Sequence, residues 1–315
     1  MTERLDLKGI VAFTVLAFLG AWAVTLPLWM SGQGLASRGA GILLLAMMMT
    51  PAVATVIVVF ILSPVRNKRI ELGLMLGGRN WWSYWLFAWI AIPTFCFAAP
   101  FIGALFGLYP LDVTAFSGFR EMLVRSGQEQ LLEKISIEGL VAIQFINGMM
   151  APALNAIFVF GEELGWRGYL LPRLKPLGQW RALILSGVIW GLWHTPIILL
   201  GHNYPKHPQL GVLVMVGLCI VFGILFGWMR IATGSIWPAV IGHGALNGSA
   251  GAVLLFAKAG EEFDAIQAGI TGWTGWLLPI AVIAILAIKG FIPAREYRPE
   301  TATSEPPPPL PDEPQ

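Results

Sequence analysis

The chain has 315 residues, 56% of them hydrophobic and 12% charged, with a formal net charge of +2 and a mean hydropathy of +0.70. Soluble domains carry about 25% charged residues, so this composition excludes an ordinary water-soluble fold and points to a bilayer as solvent. The small net charge gives no basis for nucleic-acid binding, and Cys96 and Cys219, far apart in apolar stretches, give neither a disulfide framework nor a cysteine metal site.

Crossing a hydrocarbon core of about 30 Å takes about 20 apolar residues in a helix. Eight segments meet that criterion, at roughly 9–30, 41–63, 83–107, 139–172, 182–200, 210–230, 235–257 and 271–292. The first is too long for a signal-peptide core and lacks a cleavage site, so it reads as a retained helix. Residues 64–82 carry Arg66, Lys68, Arg69 and Arg79, and the polar stretch 108–138 suits an interfacial helix. The fourth segment stays apolar through Tyr169 and Leu171 beyond a charged motif, which predicts a helix ending at Pro172. Pro152 and Pro196 predict kinks in the fourth and fifth. His202 and His207, in the short loop 201–208, read as solvated. Gly223 and Gly227 predict close helix packing, and Thr233 and Ser235 read as helix-start residues. The tail from Thr301 to Gln315 holds the run Pro306–Pro309 and reads as disordered.

The expected fold is therefore all-α, a polytopic membrane helix bundle of about eight transmembrane helices. Residues 1–137 read as scaffold helices with an interfacial segment, 138–293 as the catalytic membrane core, and 294–315 as a disordered Pro-rich cytoplasmic tail. Lys and Arg accumulate in cytoplasmic loops. With the N-terminus in the cytoplasm, Arg4, Lys8, Arg66, Lys68, Arg69, Arg79, Arg167, Arg173, Lys175, Arg181, Arg230, Lys289, Arg295 and Arg298 fall inside. Arg38, Arg120, Arg125, Lys134, Lys206 and Lys258 fall outside, which divides the 20 basic residues 14 to 6. Both termini are expected in the cytoplasm of a prokaryotic cell, in its plasma membrane.

Charge at membrane depth is costly and usually functional. Here it is concentrated in Gly161-Glu162-Glu163-Leu164-Gly165-Trp166-Arg167-Gly168-Tyr169-Leu170, and two later apolar segments carry His194, then His243 with Asn247. Counting about 1.5 Å per residue from the cytoplasmic helix ends puts Glu162 about 15 Å, His194 about 20 Å and His243 about 12 Å deep. Glu163 and Arg167 are four apart and can pair on one helical face, while Glu162 is rotated by about 100° and points elsewhere. His243 and Asn247 stack at the same spacing, as do Trp190 and His194. A carboxylate and an imidazole that converge on a water form a general base, and an imidazole with an amide can donate to an oxyanion. The competing chemistry is zinc held by Glu162, His194 and His243, with a bound water as nucleophile.

The three motifs, in their order and on apolar segments over about residues 140–250, resemble those of the CPBP family. This family comprises CAAX prenyl endopeptidases and bacteriocin-processing or self-immunity proteins, and is often labelled metalloprotease. Glu162-Glu163 with Arg167 matches its first motif, Trp190 to His194 its second, where Phe is the usual aromatic, and His243 to Asn247 its third. The resemblance implies an intramembrane endopeptidase in which Glu162 and His194 activate water and His243 and Asn247 form the oxyanion hole. Glu163, Arg167 and Trp190 would support them, without a metal. The implied partners are membrane lipid and a protein or peptide substrate that can be lipidated at its C-terminus, reached through a site open to the cytoplasm. The alternative class is a non-proteolytic immunity or scaffold protein, or a proton-coupled transporter using Glu162 and His194 as a relay. A relay needs no oxyanion pair, and the halves of the chain show no repeat of the transporter kind.

Overall fold

The computed structural model describes residues 5–62, 67–78 and 80–292. Arg4, Arg66, Arg79, Arg295, Arg298 and the Pro-rich tail lie outside the described residues. The described chain is helical throughout, with one isolated antiparallel bridge between Leu111 and Ala257.

Helix α1 spans Leu7–Met30 and starts where the Asp6 carboxylate accepts the Gly9 N–H at 2.9 Å. Helices α2 (Ala40–Met48) and α3 (Thr50–Ile57) form one span with the π-helical stretch Val58–Leu62, interrupted where Pro51 opens α3. Helix α4 is Trp81–Leu105, and α5 (Ser117–Arg125) occupies the polar connection, as expected there. Helix α6 (Ile137–Glu163) is N-capped by Ser136, whose Oγ accepts the Gly139 N–H at 3.1 Å. Helices α7 (Gln179–Trp193), α8 (Pro208–Thr233), α9 (Trp237–Ser249) and α10 (Leu277–Ile288) complete the bundle.

Among the described residues, five helical spans are long and apolar enough to cross a membrane: Leu7–Met30, Ala40–Leu62, Trp81–Leu105, Ile137–Leu177 and Pro208–Thr233. The expected fifth, seventh and eighth segments are helical but shorter, with α7, α9 and α10 at 15, 13 and 12 residues. Pro196 accounts for the fifth. The ordinary ladder breaks ahead of it, the His194 N–H reaches only to Gly191 O, and a new turn starts at Thr195–Ile198. The fourth segment departs from expectation in the opposite sense: it does not end at Pro172. A π-helical stretch, Leu164–Leu170, is followed by fresh turns through Leu177. Pro172 sits in the first turn of the new segment, where a missing N–H costs nothing.

Contacts between loops define two faces. On the first, Arg173 pairs with Asp6 at 3.5 Å, Trp237 Nε1 donates to Leu74 O at 3.2 Å, and the Ile236 N–H donates to Gly73 O at 2.9 Å. On the second, Trp29 Nε1 donates to Pro196 O at 3.1 Å, Tyr204 Oη to Thr271 O at 2.9 Å, and the Lys258 N–H to Pro110 O at 2.9 Å. Residues 6, 71–74, 173 and 230–237 thus share one end of the bundle, and 29–34, 110–118, 196–207 and 256–271 the other.

Close packing sets the α7–α8 pair. A Cβ on Gly187 would lie 2.7 Å from Ile220 Cα and one on Gly191 2.5 Å from Val216 Cα, so backbone meets backbone. Gly223 faces Gly187 in this contact, the close packing expected of it. Gly191→Val overpacks the seam, which costs about 1–3 kcal/mol. Its melting temperature in detergent should fall by several degrees; an unchanged value would contradict the contact.

Candidate active site

The first motif lies where α6 gives way to the π-helical stretch, a geometry that recurs at functional sites. Its glycines are places of close approach: a Cβ on Gly161 would sit 2.8 Å from the Met48 carbonyl oxygen. Glu162, Glu163 and Arg167 are 2%, 0% and 1% exposed, so the motif is not a solvated helix end.

The two glutamates face different partners, as their rotation requires. Glu162 Oε2 accepts the Trp190 indole N–H at 2.8 Å. Glu163 Oε1 accepts from Arg167 Nη1 at 2.8 Å and lies 2.8 Å from His243 Nδ1. The Arg167 guanidinium stacks over the Trp190 ring at 4.2 Å, tying the two branches together. Arg230 is also buried here, donating from Nε to Arg167 O at 3.1 Å and from Nη2 to Glu71 O at 3.0 Å. Read from sequence, Arg230 was only a topological charge, and nothing in its spacing signals that it braces the first motif.

The histidines sit at a helix break and in a helix interior. His194, just after α7, places Nδ1 2.9 Å from Trp190 O. A carbonyl can only accept, so Nδ1 carries the proton and Nε2 keeps its lone pair. Trp193 Nε1 anchors the same turn by donating to Thr50 Oγ1 at 3.2 Å. His243, on α9, is 3% exposed and packs edge-on to Trp190 at 5.1 Å between ring centroids. With Nδ1 turned to a carboxylate that already receives Arg167, this imidazole donates there, and Nε2 is its free end. Asn247, one turn on, is exposed. Asn155 on α6 steadies α9 by donating to Gly244 O at 3.1 Å.

Glu162, Trp190, His194, His243 and Asn247 all line one cavity of about 380 Å³. Glu163 and Arg167 lie behind it, reaching it through His243 and Trp190. Three features of the cavity were not legible in the sequence. Leu44, Met47 and Met48 of α2, from the segment read as scaffold, form part of its wall. His202, expected to be solvated, lines it together with Asn203. The end of the bundle towards which it opens is the third. Glu162 and His243 are buried at its floor, His194 is half-buried, and Asn247 and Asn203 are exposed at its mouth, towards the second face.

Zinc fits these residues poorly. A site built from Glu162, His194 and His243 would need the three to converge, and among the described residues no group of three His, Cys, Asp or Glu side chains is placed to hold a metal ion.

Residues 140–249 match the family of type II CAAX prenyl endopeptidases, Rce1-like. That segment of the chain is similar to this family. It contains α6 from its first turn, the π-helical stretch, α7, α8 and α9, and hence every motif residue. The chain is also similar to CAAX prenyl protease 2 of Methanococcus maripaludis, with 34% identity over 93 residues. The similarity covers 27% of this chain and 34% of the relative, so the chain spans about a third of that relative's length.

The buried cluster is open to a direct test. Arg167→Met takes the guanidinium from the buried Glu163 carboxylate and leaves it bonded to His243, and removing one partner of a buried pair costs about 3–5 kcal/mol. The double variant Arg167→Met, Glu163→Leu should recover part of the lost melting temperature, because it removes the buried charge but leaves His243 Nδ1 without its acceptor. A single variant as stable as the parent would show that the pair does not support the fold.

Proposed function

We propose that this protein is an intramembrane endopeptidase that hydrolyses a peptide bond with a water activated by Glu162 and His194. The observation that carries the reading is the meeting of all three motifs at one cavity, lined by the buried Glu162, two histidines and an amide among apolar helices, with Glu163 buried behind it. The match of residues 140–249 to a CAAX prenyl endopeptidase family supports it.

The assigned chemistry follows from hydrogen-bond capacity. Trp190 occupies Glu162 Oε2 and leaves Oε1 to accept a proton from water. His194, protonated on Nδ1 by its bond to Trp190 O, offers Nε2 as the second acceptor for that water. The attacked carbonyl becomes a tetrahedral oxyanion, and His243 Nε2 and the Asn247 amide supply donors to it. Donation from Nε2 while Nδ1 donates to Glu163 requires His243 to carry both protons. Glu163 is then the counter-charge that sustains the imidazolium, and Arg167 holds Glu163 in position. After collapse of the intermediate, the proton taken by the carboxylate passes to the leaving amine.

The full bundle is read as eight membrane crossings, the three shorter helices α7, α9 and α10 each completing a crossing with adjoining turns. Substrates in this reading are peptides within or beside the bilayer, including those with a lipidated C-terminus.

Cleavage of a peptide panel by purified protein tests the assignment. Glu162→Gln keeps volume and removes the base, so turnover should fall by roughly 10²–10⁴ with little loss of melting temperature. Asn247→Ala should lower turnover by roughly 10²–10³ while KM stays near the parent value. Near-normal turnover in Glu162→Gln would sink the mechanism. Stoichiometric zinc, with activity lost on chelation and restored by the metal, would assign the chemistry to a metal site instead.

A further inference from the structure

The register of the π-helical stretch leaves one carbonyl of the first motif without a helical donor. The Leu171 N–H donates to Trp166 O, the five-residue step of a π turn. In that register Arg167 O would take the N–H of residue 172, but residue 172 is a proline and has none. Arg167 is 1% exposed, so its carbonyl needs a donor from elsewhere in the protein.

Arg230 of α8 supplies it, donating from Nε at 3.1 Å, while its Nη2 donates to Glu71 O at 3.0 Å. The connection 67–78 is shaped around this guanidinium. Gly73 holds φ at +68°, and a Cβ there would sit 2.7 Å from Arg230 Cζ. A Cβ on Gly168 would lie 3.1 Å from Leu72 O, so the connection also rests on the π-helical stretch. The same connection holds the start of α9: Gly73 O accepts the Ile236 N–H at 2.9 Å, and Leu74 O the Trp237 indole N–H at 3.2 Å. The turn that carries Arg167 and the helix that carries His243 are thus tied to the same few residues, with Arg230 as the link to the first of them.

We propose that Arg230 is a positioning residue for hydrolysis, acting through the Arg167 carbonyl. With Arg230 in place the π turn is kept, Arg167 reaches Glu163 at 2.8 Å, and Glu163 holds His243 Nδ1 at 2.8 Å. Without it, Arg167 O is a buried acceptor with no donor, and the Leu171 N–H is drawn from Trp166 O to Arg167 O, its ordinary α-helical partner. That slip removes the π turn, moves Arg167 off Glu163 and loosens the imidazole whose Nε2 faces the cavity. Arg230 is not part of the cavity wall, so its loss acts on turnover and not on binding. The proposal rests on the endopeptidase reading for the step that suffers, and on backbone hydrogen bonding for the cause.

A double-mutant cycle with Pro172 separates this role from general support of the fold. Pro172→Ala restores an N–H at residue 172, the donor that Arg167 O lacks. In the parent background Arg230→Met should lower kcat for a cleaved panel peptide roughly 10–10²-fold, with KM near the parent value. In the Pro172→Ala background the same substitution should cost no more than about threefold, because the two groups serve one acceptor and couple. Equal losses in the two backgrounds, an unchanged kcat, or a rise in KM alone would each overturn the proposal. Arg230→Lys, which keeps the cation but has no Nε–H, takes the place of Arg230→Met in the cycle where the latter does not fold. Imidazole nitrogen NMR of the same proteins gives a readout that needs no substrate; the chain has four His, and His243→Gln identifies the His243 signals. Arg230→Met should shift those signals in the parent background and much less in Pro172→Ala. Equal shifts in both backgrounds, or none in either, would overturn the proposal. A parent that cleaves no peptide counts against the endopeptidase reading alone, and the spectra then decide whether Arg230 positions His243.

Discussion

The arrangement depends on one carboxylate oxygen. Glu163 Oε1 receives Arg167 from the same helix and His243 from α9, with all three side chains almost wholly buried. In a low-dielectric interior an unpaired carboxylate is strongly unfavourable, so the glutamate constrains its surroundings. It draws the π-helical stretch and α9 into a single geometry, and it fixes which imidazole nitrogen faces the cavity. Arg167 in turn lies across Trp190, whose indole N–H holds Glu162. The chain of contacts Glu163, Arg167, Trp190, Glu162 makes two adjacent glutamates into one supporting and one cavity-facing group.

The breaks in helical regularity serve that arrangement. A straight α-helix through residues 137–177 would carry the first motif past its partners in a uniform spiral. The wider π turn re-aims Arg167 and leaves a carbonyl at Arg167 that Arg230 satisfies from α8. At the opposite wall, Pro196 ends α7 at Trp193, so that the His194 imidazole sits at a loosened turn facing the cavity. Where α7 must approach α8, Gly187 and Gly191 remove side chains and let the backbones touch. Rigid seams and deliberate interruptions lie within a few residues of each other, and the cavity occupies the space between them.

Much of this was legible along the chain. Composition and run length gave a helical membrane protein, and glutamates, histidines and an asparagine at membrane depth marked the candidate site, because charge in an apolar run has few uses other than function. Four-residue spacing gave the Glu163–Arg167 pair and the opposed direction of Glu162, since helical geometry is local and repeats. The stop at Pro172 failed for a reason that is also local but invisible in spacing: a π-helical stretch restarts the helix and gives the proline a first-turn position. Loop residues failed differently. His202 looks solvated from its polar neighbours, yet the fold turns it onto the cavity wall.

What the sequence by itself determined is the class of solvent, the approximate helical segments and the chemically able residues, because each follows from transfer energy or from periodicity within one segment. Only the tertiary structure decided who meets whom. The bond of His243 to Glu163, the indole donor to Glu162, the α2 wall and the direction of the mouth join residues tens to more than a hundred positions apart. Such pairings depend on how helices pack against one another, and no spacing along a single helix encodes them.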